Sequence, residues 1–263
     1  MRMVLNFGAK DMASMRLVGA SVAALVLSWA GAAAAEPGLG QKVYDPYVRN
    51  GLSEVEVRTG RLVGGSAEGD QTTVVELERG INDRFSLAVL GEFEDEPGDA
   101  RKLDAIAVEG VMYLGQIPHL GIDAGLYLEY EQRVHNQSGV LEGKLLLAKT
   151  EDRFQGLFNI IAAQALTDRD GDGATEFSYA ASATWETAPK LRLGVEAFGD
   201  LGASRSFGGR QAHYVGPVVK WETRPSWLPA ELELEAGYRF AVGAARDYTD
   251  GQLRVLIAFE RRF

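Results

Sequence analysis

The chain has 263 residues, a formal net charge of −10 at pH 7 and no cysteine. The acidic balance argues against nucleic acid as a partner, since phosphate binding needs clustered lysine and arginine. Without cysteine the fold has neither disulfides nor thiolate metal sites. The length suits one medium barrel or one to two soluble domains.

The N-terminus has the pattern of a secretory signal peptide. Arg16 precedes an apolar, alanine-rich run over 17–35, and small residues end that run. We therefore predict an upstream extension over 1–14 and a signal peptide over 15–35. An uncleaved membrane anchor is the alternative interpretation of the same run. The stretch 36–50 is predicted to be a periplasmic lead-in to the first strand.

From residue 51 onward the pattern is that of β-strands separated by turn residues. In ELELEAGYRFAVG at 231–243, apolar residues alternate with Glu, Arg and Gly, and 122–131, 176–186 and 191–200 repeat the alternation. Successive side chains of a strand point to opposite faces, so each run has one apolar and one polar face. A tilted strand that spans a membrane needs about 9–11 residues, and most of these runs reach that length.

The predicted fold is all-β: a transmembrane antiparallel up-and-down β-barrel of about twelve strands over 51–263, with both termini periplasmic. An even strand number is typical of single-chain bacterial barrels. A soluble lipocalin-like barrel would place the apolar faces inside, and periodicity alone does not separate the two. The signal peptide and the strand length favour lipid outside. The predicted strands cover 51–62, 71–79, 84–94, 101–114, 120–132, 138–149, 152–166, 175–186, 190–201, 211–222, 230–243 and 250–263.

The last strand, LRVLIAFERRF, closes on an aromatic residue. Phe263, Phe259 and Ile257 resemble the C-terminal insertion signal of bacterial outer-membrane barrels, which implies the barrel-assembly machinery as a partner. Arg261 departs from that signal. An outward arginine near the membrane surface costs only about 0–1 kcal/mol, so the departure is tolerable.

The inward faces are rich in carboxylates. One hypothesis is an acidic pathway that favours cations. The other is a barrel whose wall is braced by Glu–Arg and Glu–Lys pairs and which conducts nothing. The residues assigned to the candidate pathway are Glu54, Glu56, Glu92, Glu129, Glu196, Glu231, Glu233, Glu235, Arg239 and Arg254.

A second motif, DRDGDG, lies at 168–173. Asp168, Asp170 and Asp172 stand at alternate positions, as in the first half of an EF-hand calcium loop. The closing glutamate is missing, because Tyr179 stands where it would fall. The motif therefore predicts either a Ca²⁺ site in an extracellular loop, or a solvated acidic turn, or a loop held to lipopolysaccharide through divalent ions. No cofactor is required.

The histidines give no support to catalysis. Outer-membrane lipid hydrolases use a His and a Ser two residues apart on one strand. None of His119, His135 and His213 has a serine at that spacing. A lipid-modifying enzyme is therefore the third hypothesis, after passive passage of a small solute and a non-conducting structural or surface-interaction barrel.

Several phrases resemble a group of proteobacterial outer-membrane proteins that includes transporters of the phenol-degradation meta-pathway and uncharacterised neighbours. These phrases are VYDPYVRNGLSEVEVR at 43–58, ELERGINDRFSLAVLGEFE at 76–94, LGVEAFGDLG at 193–202 and HYVGPVVKWE at 213–222. The resemblance implies a barrel in the outer membrane of a Gram-negative bacterium, surrounded by lipid and lipopolysaccharide, that transports an unidentified small solute. It carries no residue-level mechanism.

Overall fold

A computed structural model describes residues 39–135, 139–166 and 174–262. Strands make up most of these residues, and a short 3₁₀ helix, Ala244–Asp247, precedes the last strand. Among the described residues, no helix is long and apolar enough to cross a membrane. The strands are β1 (Leu52–Val63), β2 (Gln71–Gly80), β3 (Phe85–Asp95), β4 (Lys102–Ile117), β5 (Ile122–Arg133), β6 (Gly139–Glu151), β7 (Phe154–Ala165), β8 (Glu176–Ala188), β9 (Leu191–Ala203), β10 (Ala212–Thr223), β11 (Glu231–Gly243) and β12 (Gly251–Arg262).

The strands form one closed antiparallel sheet in up-and-down order. Each strand pairs with its neighbours in sequence, and β1 pairs with β12 to close the barrel. The closing pair runs in register from Leu52 opposite Arg262 to Val63 opposite Gly251. The predicted all-β, twelve-strand barrel is confirmed, and each predicted strand boundary lies within three residues of the observed one.

Apolar side chains face outward and polar side chains face inward. In β12, Val255 and Phe259 are each 40% exposed, whereas Arg254 and Ala258 are each 1% exposed. The same alternation follows the other strands, so a band of exposed apolar residues surrounds the barrel. Such a band is typical of barrels that stand in lipid, and it is the reverse of a barrel with an apolar interior.

Residues 39–50, here called the luminal segment, run inside the barrel. Leu39 packs against Leu62 near the end of β1, while Tyr44 packs against Tyr127 farther along the lumen. Arg49 Nη2 lies 2.9 Å from Glu260 Oε2, near the end of β12. The segment thus descends towards the rim where β1 begins and β12 ends, called the proximal rim; the opposite rim is the distal rim.

The sequence predicts only a periplasmic lead-in to β1 for 36–50 and does not indicate that the stretch runs inside the barrel. The physical reason is that the segment has no secondary-structure period of its own, and its partners lie on strands far away in the chain. Residues 1–38, which include the predicted extension and signal peptide, lie outside the described residues.

Candidate functional site

The luminal segment is held by side chains of the wall in place of sheet pairing. The Tyr44 amide donates a hydrogen bond to Asn159 Oδ1 at 2.8 Å, and Asn159 Nδ2 donates to the Tyr44 carbonyl at 2.8 Å. Arg58 Nε donates to the Gly40 carbonyl at 2.6 Å. Buried backbone groups need such partners, because water cannot reach them. The wall therefore supplies the segment with the hydrogen bonds that a neighbouring strand would otherwise provide.

Glycines of the wall, among them Gly60 and Gly125, lie where the luminal segment approaches closely. A Cβ atom at Gly60 would stand 1.9 Å from the Leu39 carbonyl oxygen, and one at Gly125 would stand 2.8 Å from Pro46 Cβ. Real Cβ atoms do not make contacts that short. The inner surface of the wall thus leaves room for the segment in its bound position.

Lys42 joins the segment to a cluster of charges on β1 and β2. Its ammonium lies 2.9 Å from Glu56 Oε2 and 3.0 Å from Glu76 Oε1. Arg58 Nη1 contacts the same two carboxylates, at 2.6 and 2.5 Å. Both glutamates are almost fully buried, and buried carboxylates stay ionised only when they are paired and hydrogen-bonded. The Lys42 ammonium therefore balances part of the negative charge of Glu56 and Glu76.

Tyr44 connects this cluster to β4, β5 and β6. Its hydroxyl donates to Glu109 Oε2 at 3.0 Å, and the Tyr127 hydroxyl donates to the same oxygen at 2.7 Å. Lys144 Nζ lies 4.3 Å from the centre of the Tyr44 ring and 4.1 Å from that of Tyr127. A cation over an aromatic face is attracted by the partial negative charge that the ring quadrupole places on that face. These contacts hold the middle of the segment against the wall.

A second charge cluster spans β9 to β12 on the wall itself. Lys220 Nζ lies 3.1 Å from Glu196 Oε1 and 2.7 Å from Glu235 Oε2, and Arg239 Nη2 donates to Glu196 Oε2 at 2.5 Å. Arg254 lies between the same two carboxylates, 4.0 Å from Glu196 Oε2 and 3.6 Å from Glu235 Oε1. Opposite charges alternate within the cluster, so it braces this wall without a large net charge.

Between the luminal segment and the wall lies a cavity of about 240 Å³ that reaches the proximal rim. Among the described residues that line it, nine carry a carboxylate and four carry a basic group. The acidic residues are Asp45, Glu54, Glu56, Glu78, Glu222, Glu231, Glu233, Glu235 and Glu260, and the basic residues are Lys42, Arg49, Arg192 and Lys220.

The structure distributes the ten residues of the predicted pathway over four places. Glu54, Glu56, Glu231, Glu233 and Glu235 line the cavity, and Glu235 also belongs to the second charge cluster together with Glu196, Arg239 and Arg254. Glu129 lies beside Tyr127, whose hydroxyl contacts its carboxylate, and Glu92 lies near Glu94 and Asp104 towards the distal rim. All ten are on the inner face, but they do not form one continuous path.

No sequence pattern predicted the contacts that hold the luminal segment, above all those of Lys42 on the segment and of Asn159 and Glu76 on the wall. One signal was available for Asn159. It is the single strongly polar residue in the apolar run LFNIIAA at 157–163, and it stands at an inward position. A lone amide in such a strand needs a hydrogen-bond partner from elsewhere in the chain.

Two groups of carboxylates bring their oxygens within 4.8 Å of one another: Glu54, Glu76 and Glu78, and Glu92, Glu94 and Asp104. The Lys42 ammonium already lies against Glu54 and Glu76 in the first group. The DRDGDG motif, with Asp168, Asp170 and Asp172, lies outside the described residues, as does Phe263. Phe259 and Ile257 of the predicted insertion signal face outward.

The histidines occupy separate places. His119 lies in the turn between β4 and β5, His135 follows β5, and His213 Nδ1 lies 3.3 Å from Tyr179 Oη near the distal rim. They do not meet at a common site.

No protein-family model matches the sequence, and no curated protein matches it. Among solved structures, the chain is similar to an outer-membrane channel from Pseudomonas putida F1, with a TM-score of 0.58 and 12% identity over 85% of this chain and 100% of the other. It is also similar to the NanC porin (TM-score 0.55, 10% identity, 80% and 100% covered) and to the KdgM porin in complex with disordered oligogalacturonate (TM-score 0.51, 10% identity, 80% and 99% covered). At these identities the likeness establishes an outer-membrane barrel fold of the porin and channel type, and the similar structures are channels rather than enzymes.

Proposed function

We propose that the protein is a β-barrel of the Gram-negative outer membrane for the passive passage of a small solute, and that its lumen favours cations. In this proposal the signal peptide is removed on export and the proximal rim faces the periplasm. The similarity to outer-membrane channels supports the assignment to an outer-membrane barrel for passive passage. The resemblance to the phenol-degradation meta-pathway group also fits a transport role.

The observation that carries the cation preference is the lining of the cavity. Nine carboxylates against four basic groups give the space at the proximal rim an excess of negative charge. Charged side chains around a narrow pathway raise the local concentration of ions of the opposite sign and lower that of ions of the same sign. A small cation would therefore enter this space more readily than an anion of equal size.

A non-conducting structural barrel is the second candidate, and a specific observation favours it. The luminal segment runs inside the barrel, and two clusters of buried ion pairs lie on the inner face of the wall. Ion pairs that satisfy one another brace a wall without any need for passage.

Reversal potentials in planar bilayers separate the two candidates. Under a KCl gradient, the refolded chain should give discrete conductance steps. Their reversal potential should be shifted from zero towards the equilibrium potential of K⁺. Glu233→Gln removes a cavity carboxylate with no ion pair in the described part of the chain, so it should lower the preference for K⁺. Glu151→Gln, an exposed carboxylate at the same rim, is the matched control.

A chain without discrete steps would contradict passage and favour the non-conducting barrel. A reversal potential at zero, or one shifted towards the equilibrium potential of Cl⁻, would contradict the cation preference.

A further inference from the structure

The luminal segment is bound to the barrel but is not a part of its sheet. The sheet closes through β1 and β12, which pair along their whole length. The hydrogen bonds that hold residues 40–44 to the wall involve wall side chains, such as Asn159 and Arg58. The segment can therefore leave the lumen without breaking a hydrogen bond between strands.

The segment stays joined to the barrel at the proximal rim. The Leu52 amide donates to the Arg49 carbonyl at 3.1 Å, which makes a tight turn directly before β1. In the described part of the chain this turn is the one covalent link between the segment and the strands, and the segment's other contacts lie in the lumen, so the segment can swing out of the barrel about that turn.

Departure of the segment would change both the width and the charge of the lumen. It would remove the side chains of Val43, Tyr44 and Tyr47 from the border of the cavity. It would also withdraw the Lys42 ammonium from Glu56 and Glu76. Because Glu54 and Glu56 already line the cavity, the carboxylates exposed in this way would extend the acidic surface inward from the proximal rim.

We propose that the luminal segment is a self-inhibitory gate. When the segment is bound, it narrows the lumen. The ion pairs of Lys42 with Glu56 and Glu76 form the latch that holds it in this position. Released, it opens a wider and more acidic pathway. This inference rests on the proposed passage of small solutes.

Deletion of residues 39–48 from the otherwise full chain tests the gate. In planar bilayers the deletion variant should give conductance steps several-fold larger than those of the full chain. Lys42→Met should give steps of both sizes, since the latch is lost but the segment remains. Lys102→Met, which removes an exposed lysine paired with Asp99, is the control and should match the full chain.

Gly60→Ala tests the same gate by a steric route. The added methyl group would clash with the Leu39 carbonyl and displace the luminal segment. The variant should therefore also give the larger conductance steps. In the deletion background the methyl group meets nothing of the segment, so Gly60→Ala should there have no further effect on conductance. Steps of unchanged size in the deletion variant, or equal effects of Gly60→Ala in both backgrounds, would overturn the proposal.

A disulfide lock keeps the test decisive if the deletion variant does not fold. Gly40 lies against Thr72, and the chain has no cysteine of its own. In the double variant Gly40→Cys with Thr72→Cys, oxidation should abolish the large steps that Lys42→Met produces in the same chain, and a reductant should restore them. Identical conductance in the oxidised and reduced forms would overturn the gate.

The gate and the proposed function fail in different ways. Large steps without preference for K⁺ in the deletion variant would contradict the cation-favouring lumen and leave the gate standing. Cation-selective steps of equal size with and without the segment would contradict the gate alone.

Discussion

Asn159 shows how one side chain fixes the position of a whole segment. Its amide accepts from the Tyr44 amide and donates to the Tyr44 carbonyl, both at 2.8 Å, from a fully buried position on β7. A side-chain amide has both a donor and an acceptor, so it can pair with both backbone groups of one residue. Few other side chains of this size could do so, which explains an otherwise anomalous polar residue in an apolar strand.

Asn159→Leu tests this role, because leucine has a similar volume but cannot form hydrogen bonds. Two buried backbone groups of Tyr44 would lose their partners, at a cost of about 1–3 kcal/mol each. Urea unfolding in lipid vesicles should therefore show a loss of stability of about 2–6 kcal/mol.

Asn82→Leu is the matched control. Asn82 Oδ1 accepts from the Arg84 amide in an exposed turn, where water can replace the lost partner. A loss for Asn159→Leu no greater than that for Asn82→Leu would contradict the role assigned to Asn159.

At the scale of the element, each strand combines an outer face for lipid with an inner face for charges. Strand β3 is an example: Val89 is 49% exposed, whereas the neighbouring Ala88 and Leu90 are buried. This arrangement follows from the period of two, which places neighbouring side chains on opposite sides of the sheet. It also explains why the strands could be located from the sequence.

Val89→Arg should destabilise the barrel by about 2–4 kcal/mol, because the arginine would stand near the middle of the lipid-facing band. Leu120→Arg, in the turn between β4 and β5 at the proximal rim, should cost only about 0–1 kcal/mol, because an arginine there reaches water. Both residues are apolar and exposed, so they form a matched pair. Equal costs in urea unfolding would indicate that the outer face of β3 does not contact lipid.

At the scale of the whole molecule, closure of the sheet into a barrel places one face of every strand in the lumen and the other on the outer surface. Pairing of β1 with β12 leaves no free edge and separates one lumen from one outer surface. The outer surface is a continuous apolar band far larger than a soluble protein tolerates.

The processed chain should therefore need detergent or lipid to remain monodisperse. On dilution of the refolded protein into buffer without detergent, size-exclusion chromatography should show aggregates, whereas the sample in detergent should elute as a single species. A monodisperse chain in plain buffer would contradict the assignment of the outer face to lipid.

The sequence by itself determined the class of fold, the approximate positions of the strands and, in the strands that alternate clearly, which residues share a face. These are local properties, because alternation and turn residues are visible within a dozen positions. Only the tertiary structure decided the path of the luminal segment and the pairing of the inward charges. Tyr44 meets Asn159 across 115 positions of the chain, and Arg239 meets Glu196 across 43. Such contacts depend on how a closed sheet brings distant strands around one lumen, and no local pattern encodes that arrangement.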